Sequence, residues 1–252
     1  MIKVAIIQAR MASTRFPGKV LADIAGQPML HWLIKRLSAT ESIDKIIVAT
    51  TKTPADDELA EWVVKATGLT CFRGSEYDVL DRFYQCAKMY EADLIIRVTA
   101  DDPLKDASII QKAIEIFLKS PSADYCSNTI LPTYPEGLDI EVFRYLALEK
   151  AWKESTLPSD REHVTPYIWK NTSLFNVYNF EYERNLSDWR WTVDKPNDYK
   201  FINAIFKHFK NQPLVNFEEI IRYIEHNPEL MNINMGTIRN EGYFKSIKNE
   251  IL

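Results

Sequence analysis

The sequence predicts an α/β protein with a mainly parallel sheet flanked by helices, and three observations carry that prediction. Short apolar runs alternate with helical patterns through the first half of the chain. The first run, residues 2–8, is continuously apolar and rich in Val and Ile, as a strand buried on both faces requires. Alternation of this kind implies parallel strands joined by right-handed crossovers. The chain has 252 residues, enough to bury one large core. It reads as a single domain, 1–252, with a smaller β-rich insert near 128–180.

The elements follow in order. Residues 9–28 carry Pro17, Gly18, Gly26 and Pro28 and cannot form one regular element. Leu30, Leu33, Ile34 and Leu37 then mark a helix face. Residues 45–50 read as a strand. Thr53 is placed to cap a helix that opens with Pro54 and the acids Asp56, Asp57 and Glu58. Its buried face is Leu59, Trp62, Val63 and Ala66, and Gly68 is its stop. Strands are expected at 69–72 and 93–99, and helices at 79–90 and 108–118. The second half is less regular. Strands are expected at 124–128, 138–143, 175–180 and 191–193. Helices are expected at 144–155, 161–170 and 196–209, and another starts at Asn216 with Phe217, Ile220, Ile221 and Ile224 on one face.

Composition excludes several classes. Only seven glycines occur, and no two are closer than six positions apart. There is therefore neither a Gly-x-Gly-x-x-Gly dinucleotide fingerprint nor a P-loop. A formal net charge of -4 argues against a bulk nucleic-acid binder, while leaving room for a local basic pocket. No apolar run approaches the roughly 18 residues of a membrane span. The first residues read as a strand rather than a signal peptide. Cys71, Cys86 and Cys126 are too widely spaced for a zinc site or a disulfide framework. They read as small buried hydrophobes in a reducing cytoplasm.

Ligands on parallel sheets bind beyond the carboxyl ends of the strands. That directs attention to loops 9–19, 51–53, 73–76 and 99–105. The first brings Arg10, Arg15 and Lys19 together with the hydroxyls of Ser13 and Thr14. Such a loop can neutralise a triphosphate, with Pro17 and Gly18 bending Lys19 round to the oxygens. The alternative is a solvated basic loop. Asp101 and Asp102 follow a buried strand and precede Pro103. A carboxylate there suits Mg²⁺ shared with phosphate oxygens, and a turn or helix cap is the alternative. Asp194 follows another short strand, and its alternative is the cap of the helix starting at Pro196. Arg73-Gly74-Ser75 could present a hydrogen-bonding edge to a flat ring. His163 could orient a hydroxyl or accept its proton, or be structural beside Glu162. Arg190 could bind an acidic ligand or a salt-bridge partner.

The stretch from Ala9 to Met29, ARMASTRFPGKVLADIAGQPM, resembles the signature of the CMP-sugar synthetases. These include 3-deoxy-manno-octulosonate cytidylyltransferase and CMP-sialic acid synthetase. The chain is most similar to the spore-coat polysaccharide cytidylyltransferase-like branch. The likeness continues through residues 73–75, 98–104, 134–143, 161–166 and 190–194. It implies a Rossmann-like sheet of the nucleotidyltransferase type. It also implies Mg²⁺-dependent transfer of CMP from CTP to an acidic sugar-like acceptor, with release of pyrophosphate, in surface polysaccharide synthesis. By this resemblance Gln8, Ala9, Arg10, Ser13, Arg15, Lys19, Arg73, Gly74, Ser75 and Thr99 bind the nucleotide. Arg10, Arg15, Lys19 and Asp101 are catalytic. Asp101 and Asp194 hold the metal. Gly137, Asp139, Glu162 and His163 face the acceptor or the partner subunit, Arg190 is counted with them as a candidate acceptor contact, and the insert supports a homodimer. Relatives carry Gly where this chain has Ala100, a strained exchange if the backbone needs a positive φ there. A glycosyltransferase on the same architecture would call for an Asp-x-Asp motif, and none occurs. A non-catalytic nucleotide-binding protein is the other alternative, with Ala100 as its one support.

Overall fold

The computed structural model describes residues 1–13 and 15–251. Seven strands form one sheet in the order β5-β4-β1-β6-β8-β7-β9. They are β1 (Lys3–Gln8), β4 (Lys45–Thr51), β5 (Thr70–Gly74), β6 (Leu94–Thr99), β7 (Tyr125–Ser127), β8 (Glu141–Arg144) and β9 (Val177–Asn179). Strands β5, β4, β1 and β6 run parallel. Strand β8 is antiparallel to both β6 and β7, and β9 is parallel to β7. The expected mainly parallel sheet is present, and its four parallel strands bring the ends of loops 9–19, 51–53, 73–76 and 99–105 to one edge.

The continuous apolar runs arise because both faces of the sheet are covered. Along β1, Ala5 and Ile7 point into one core and Val4 and Ile6 into the other. The first core is closed by α1 (Met29–Leu37), α2 (Asp57–Trp62), α4 (Ala107–Lys119), α8 (Pro196–His208) and α9 (Phe217–His226). The second is closed by α3 (Val79–Met89), α5 (Tyr145–Glu154) and α7 (Pro166–Lys170). Helix α6 (Pro158–His163) packs beside α3, and α10 (Glu241–Ile251) packs on α6. A two-residue hairpin joins β2 (Asp23–Ile24) to β3 (Gln27–Pro28). Its turn places Ala25 and Gly26 at φ 51° and 87°, the left-handed pair that a tight hairpin needs.

Several local expectations are refined. The segment 128–180, read as a β-rich insert, adds β8 and β9 to the main sheet and carries α5, α6 and α7 between them. The expected helix 161–170 is two helices, because Val164 lies at φ 74° and breaks the run. Residues 191–193 form no strand; only Arg190 bridges Glu136. Thr53 occupies a helix-start position, yet its hydroxyl meets Thr51 Oγ1 at 2.6 Å instead of capping. The start of α9 is as read, with the Asn216 side chain accepting from the Glu219 N–H at 2.9 Å. Helix α10 was not anticipated. No described helix is long and apolar enough to cross a membrane.

Gly137 shows how tightly residues 134–140 pack against 190–194. Its φ is 107°, and a Cβ there would lie 2.7 Å from both Thr192 N and Trp191 C. Both are backbone atoms, so neither can yield. Gly137→Ala is expected to lower unfolding free energy by roughly 2–4 kcal/mol in urea denaturation. An unchanged midpoint would show that this contact is slack.

Candidate active site

The loop after β1 folds back on itself. Met11 O accepts from both Ser13 N and Gly18 N, each at 2.9 Å. Gly18 takes φ 70° and turns the chain into a short 3₁₀ turn, Lys19–Leu21. This delivers Lys19 to the sheet's carboxyl edge with only 8% of its surface exposed. Lys19 Nζ donates to Asp101 Oδ2 at 2.9 Å, Asp194 Oδ1 at 2.9 Å and Val193 O at 2.7 Å. All three ammonium hydrogens are used. Burial alone would lower the Lys19 pKa; Asp101 and Asp194 outweigh it and raise the pKa above its ordinary value.

Asp194 is the crossroads. Besides Lys19, its Oδ1 meets Arg15 Nη2 at 2.9 Å, and its Oδ2 accepts from Arg190 Nη2 at 2.9 Å. Burial would raise its pKa, yet Lys19 and Arg15 hold it well below the usual carboxylate range. Asp194 is spared capping duty because Asp198 performs it. Asp198 Oδ2 accepts from the N–H groups of Asp194 and Lys195, at 2.9 and 2.8 Å. Arg190 is buried beneath, held by Glu136, Asp194 and Asp198.

Above this network opens a cavity of about 490 Å³. Seven carboxylates line it: Asp101, Asp102, Glu136, Asp139, Glu141, Asp194 and Glu241. Each meets a cation. Lys105 pairs with Asp102 at 2.8 Å, Arg97 with Glu141, and Arg239 with Asp139. Glu241 meets Lys195 at 3.1 Å and Arg15 at 3.6 Å. Glu141 is buried and accepts also from Tyr125 Oη at 2.7 Å and from Thr165 Oγ1. Burial would raise its pKa; Arg97 and these hydroxyls reverse that and lower it.

The sequence-read residues divide. Arg15, Thr99, Asp101, Asp139, His163 and Asp194 line the cavity. Lys19 lies just beneath it. Gln8 Oε1 meets Arg97 Nη2 at 3.4 Å, and Ala9 is buried with its N–H on Ala49 O. Arg10 is exposed, and Ser13 Oγ accepts from Phe16 N at 3.3 Å. Thr14 lies outside the described residues. Asp102, left open as a turn residue, is buried and accepts from Thr99 Oγ1 at 2.9 Å. Ala100 does not take a positive φ, and its N–H donates to Gln8 O at 3.0 Å, so no strain attends the exchange from Gly.

Other residues stand elsewhere. Arg73 ties the end of β5 to β4, donating to Thr51 O and Thr53 O at 2.9 Å and pairing with Asp57. Gly74 makes room for Arg82, since a Cβ would come within 2.8 Å of Arg82 Cγ. Ser75 Oγ accepts from Asp78 N at 3.1 Å. Gly137 and Arg190 sit under the cavity rather than on its surface. Glu162 is exposed. It accepts from Ser246 Oγ at 2.6 Å. His163 Nε2 meets the same Ser246 Oγ at 3.1 Å, so both residues fasten α10. Burial lowers the His163 pKa, with Glu162 opposing.

Sequence reading missed Arg97, Lys105, Glu141, Trp169, Arg239, Glu241 and Tyr243. One signal was available: Arg97 interrupts an otherwise apolar strand, where a charge needs a partner. Residues 239–244 carried none. Among the described residues no cluster of three or more His, Cys, Asp or Glu converges on one point. Asp101 and Asp194 do converge on a single cationic position, now held by Lys19 Nζ. Mg²⁺ prefers such a donor set, one or two carboxylates completed by phosphate oxygens and waters.

Comparison with known proteins supplies the wider setting. The family model described as cytidylyltransferase matches residues 4–237. The chain is 32% identical to the spore coat polysaccharide biosynthesis protein SpsF of Bacillus subtilis, over 89% of this chain and 94% of that one. It is 38% identical to 3-deoxy-manno-octulosonate cytidylyltransferase of Trichlorobacter lovleyi, over 47% of this chain and 46% of that one. A solved cytidylyltransferase from Leptospira borgpetersenii superposes with a TM-score of 0.88 at 32% identity, covering 95% of this chain and 100% of that one.

The Glu141 cluster yields a pH prediction. A carboxylate with a folded pKa below its unfolded value stabilises the fold above the unfolded pKa, and that stability is lost as pH falls through the folded pKa. Glu141→Gln is therefore expected to cost roughly 3 kcal/mol at pH 7. The gap to wild type should stay level down to about pH 5 and narrow below the ordinary value of 4.5. Urea titrations at successive pH values measure it, and a gap that widens in acid would reverse the assignment.

Proposed function

The chain belongs to the cytidylyltransferase family, a family of nucleotidyltransferases, and we propose that it transfers CMP from CTP to an acidic sugar or sugar-like acceptor. An acceptor oxygen attacks the α-phosphorus in line. The bond from that phosphorus to the bridging oxygen breaks, and pyrophosphate leaves with the electron pair. The acceptor's hydroxyl proton passes to solvent. The observation that carries this reading is the meeting of Lys19, Asp101 and Asp194 at the base of a cavity.

The residues divide the work by charge. Lys19 and Arg15, with exposed Arg10 on the same loop, neutralise the triphosphate and then the departing pyrophosphate. Asp101 and Asp194 would hold Mg²⁺, which would lower the negative charge on the phosphates once bound. The cavity beyond them receives the acceptor, so that catalysis is chiefly positioning. The paired carboxylates of its wall present little net charge, which lets an acidic acceptor enter. The named activities of the relatives support this acceptor class and a role in surface polysaccharide synthesis. The free thiols of Cys71, Cys86 and Cys126 support a reducing, cytoplasmic setting. The family resemblance supports a homodimer, which sedimentation would measure.

The test is a pyrophosphate-release screen crossing four nucleoside triphosphates with sugar acids, sugar phosphates and phosphonates, with and without Mg²⁺. CTP with a sugar acid and Mg²⁺ should give the fastest release, and chelation should abolish it. Release of a nucleoside diphosphate, or of nothing, would overturn the reading. Lys19→Ala should cut kcat/KM by at least about 100-fold. Full turnover in that variant would sink the role given to Lys19.

A further inference from the structure

The family model ends at residue 237, yet the cavity does not. Asn240, Glu241, Gly242, Tyr243 and Phe244 all line it. This last segment is fastened on several sides. Arg239 pairs with Asp139 and donates to Tyr134 O at 2.9 Å. Asn240 N donates to Glu136 Oε1 at 3.1 Å, with Asn240 turned to φ 57°. Farther along α10, Ser246 meets His163, and Glu250 Oε2 accepts from Ser159 Oγ at 3.0 Å. Helix α10 is thus held as a wall of the cavity.

That wall differs chemically from the opposite one. Six of the seven lining carboxylates, with their cations, lie outside α10, which contributes only Glu241 at its start. The α10 side brings Tyr243 against Trp169, with ring centroids 5.9 Å apart at 66°, and against His163, at 5.1 Å and 84°. Trp169 and Tyr243 are half-buried, and both face the cavity. A sugar-like molecule is itself two-sided: hydroxyls and acid on its rim, C–H groups on its ring faces. Binding sites for such ligands combine aromatic surface with a few placed polar groups. Lys170, 5.4 Å from the Tyr243 centroid and bonded to Asp160 at 2.9 Å, backs the pair from outside.

We propose that Trp169 and Tyr243 are acceptor-specificity residues: the acceptor's carbon skeleton packs on these rings while its attacking oxygen faces Asp101 and Asp194. The assignment rests on the cytidylyltransfer reading above. Choice of acceptor is then made in part by a C-terminal segment beyond the family's matched region. Nucleotide binding is assigned to the loop after β1, whose Arg15 meets this segment at Glu241, 3.6 Å away.

Steady-state kinetics on the full chain test this, with 3-deoxy-manno-octulosonate or whichever sugar acid of the screen turns over fastest. Tyr243→Ala and Trp169→Ala should each raise the acceptor KM by about 5- to 10-fold, the measure of a lost aromatic contact. The CTP KM should stay within about twofold, and Tyr243→Phe should behave as wild type. Tyr243→Leu keeps the apolar bulk against α7, so a fall in Tm in the alanine variant does not spoil the test. Its acceptor KM should rise as well. An unchanged acceptor KM in all of these, with CTP transfer intact, overturns the inference alone. Equal rises in the two KM values overturn it too. Wild-type protein that binds CTP but transfers to no acid removes both the acceptor class and this assignment. Wild-type protein that does not bind CTP overturns the cytidylyltransfer reading itself.

Discussion

The ammonium of Lys19 is where the architecture meets. Three segments far apart in sequence end on it: the loop after β1, the turn after β6 and the stretch leading into α8. Burying a lysine is costly unless its charge is matched and its hydrogens are used. Here two carboxylates and a carbonyl do both. The position of the loop, the exposure of Asp101 and the orientation of Asp194 all depend on that arrangement. A cation placed between two carboxylates also marks where another cation is welcome, and this links the resting geometry to the proposed chemistry.

Around that point the cavity is built from paired charges. Its seven carboxylates would repel one another and any anionic ligand if left alone. Asp102–Lys105 is local to the turn after β6, whereas most of the other pairs join distant segments and so also act as fastenings. Arg97–Glu141 ties β6 to β8, Arg239–Asp139 ties the C-terminal segment to residues 134–140, and Arg190 ties three acids under the floor. Broken singly, such buried pairs are strongly destabilising. The site's electrostatics and the fold's integrity are therefore the same set of contacts.

Several residues whose motif positions suggested ligand contact also have structural partners within the fold. Arg73, Gly74 and Ser75 shape the ends of β4 and β5, with Gly74 giving way to the buried Arg82. Gly137 allows backbone to lie against backbone, and Arg161 fastens α6 to the start of α3 through Asp78 at 2.6 Å. These positions serve the site by holding its walls.

The sequence by itself determined the α/β class, most helix and strand positions, the loop with Lys19 and the paired acids Asp101 and Asp194. These were legible because period-2 and period-3.6 patterns and short motifs are local properties of the chain. Tertiary structure alone decided the rest. It folded 128–180 into the main sheet and set Lys19 against Asp101 and Asp194. It also brought Tyr243 and Glu241 from the far end of the chain to the cavity. None of these has a local signature. Each depends on which charge finds which partner when distant segments pack, and a buried charge accepts no unmatched alternative. The few glycines show the division well. Their scarcity excluded the dinucleotide fingerprint and the P-loop from the start, but only packing showed that Gly74 and Gly137 are needed for close approach.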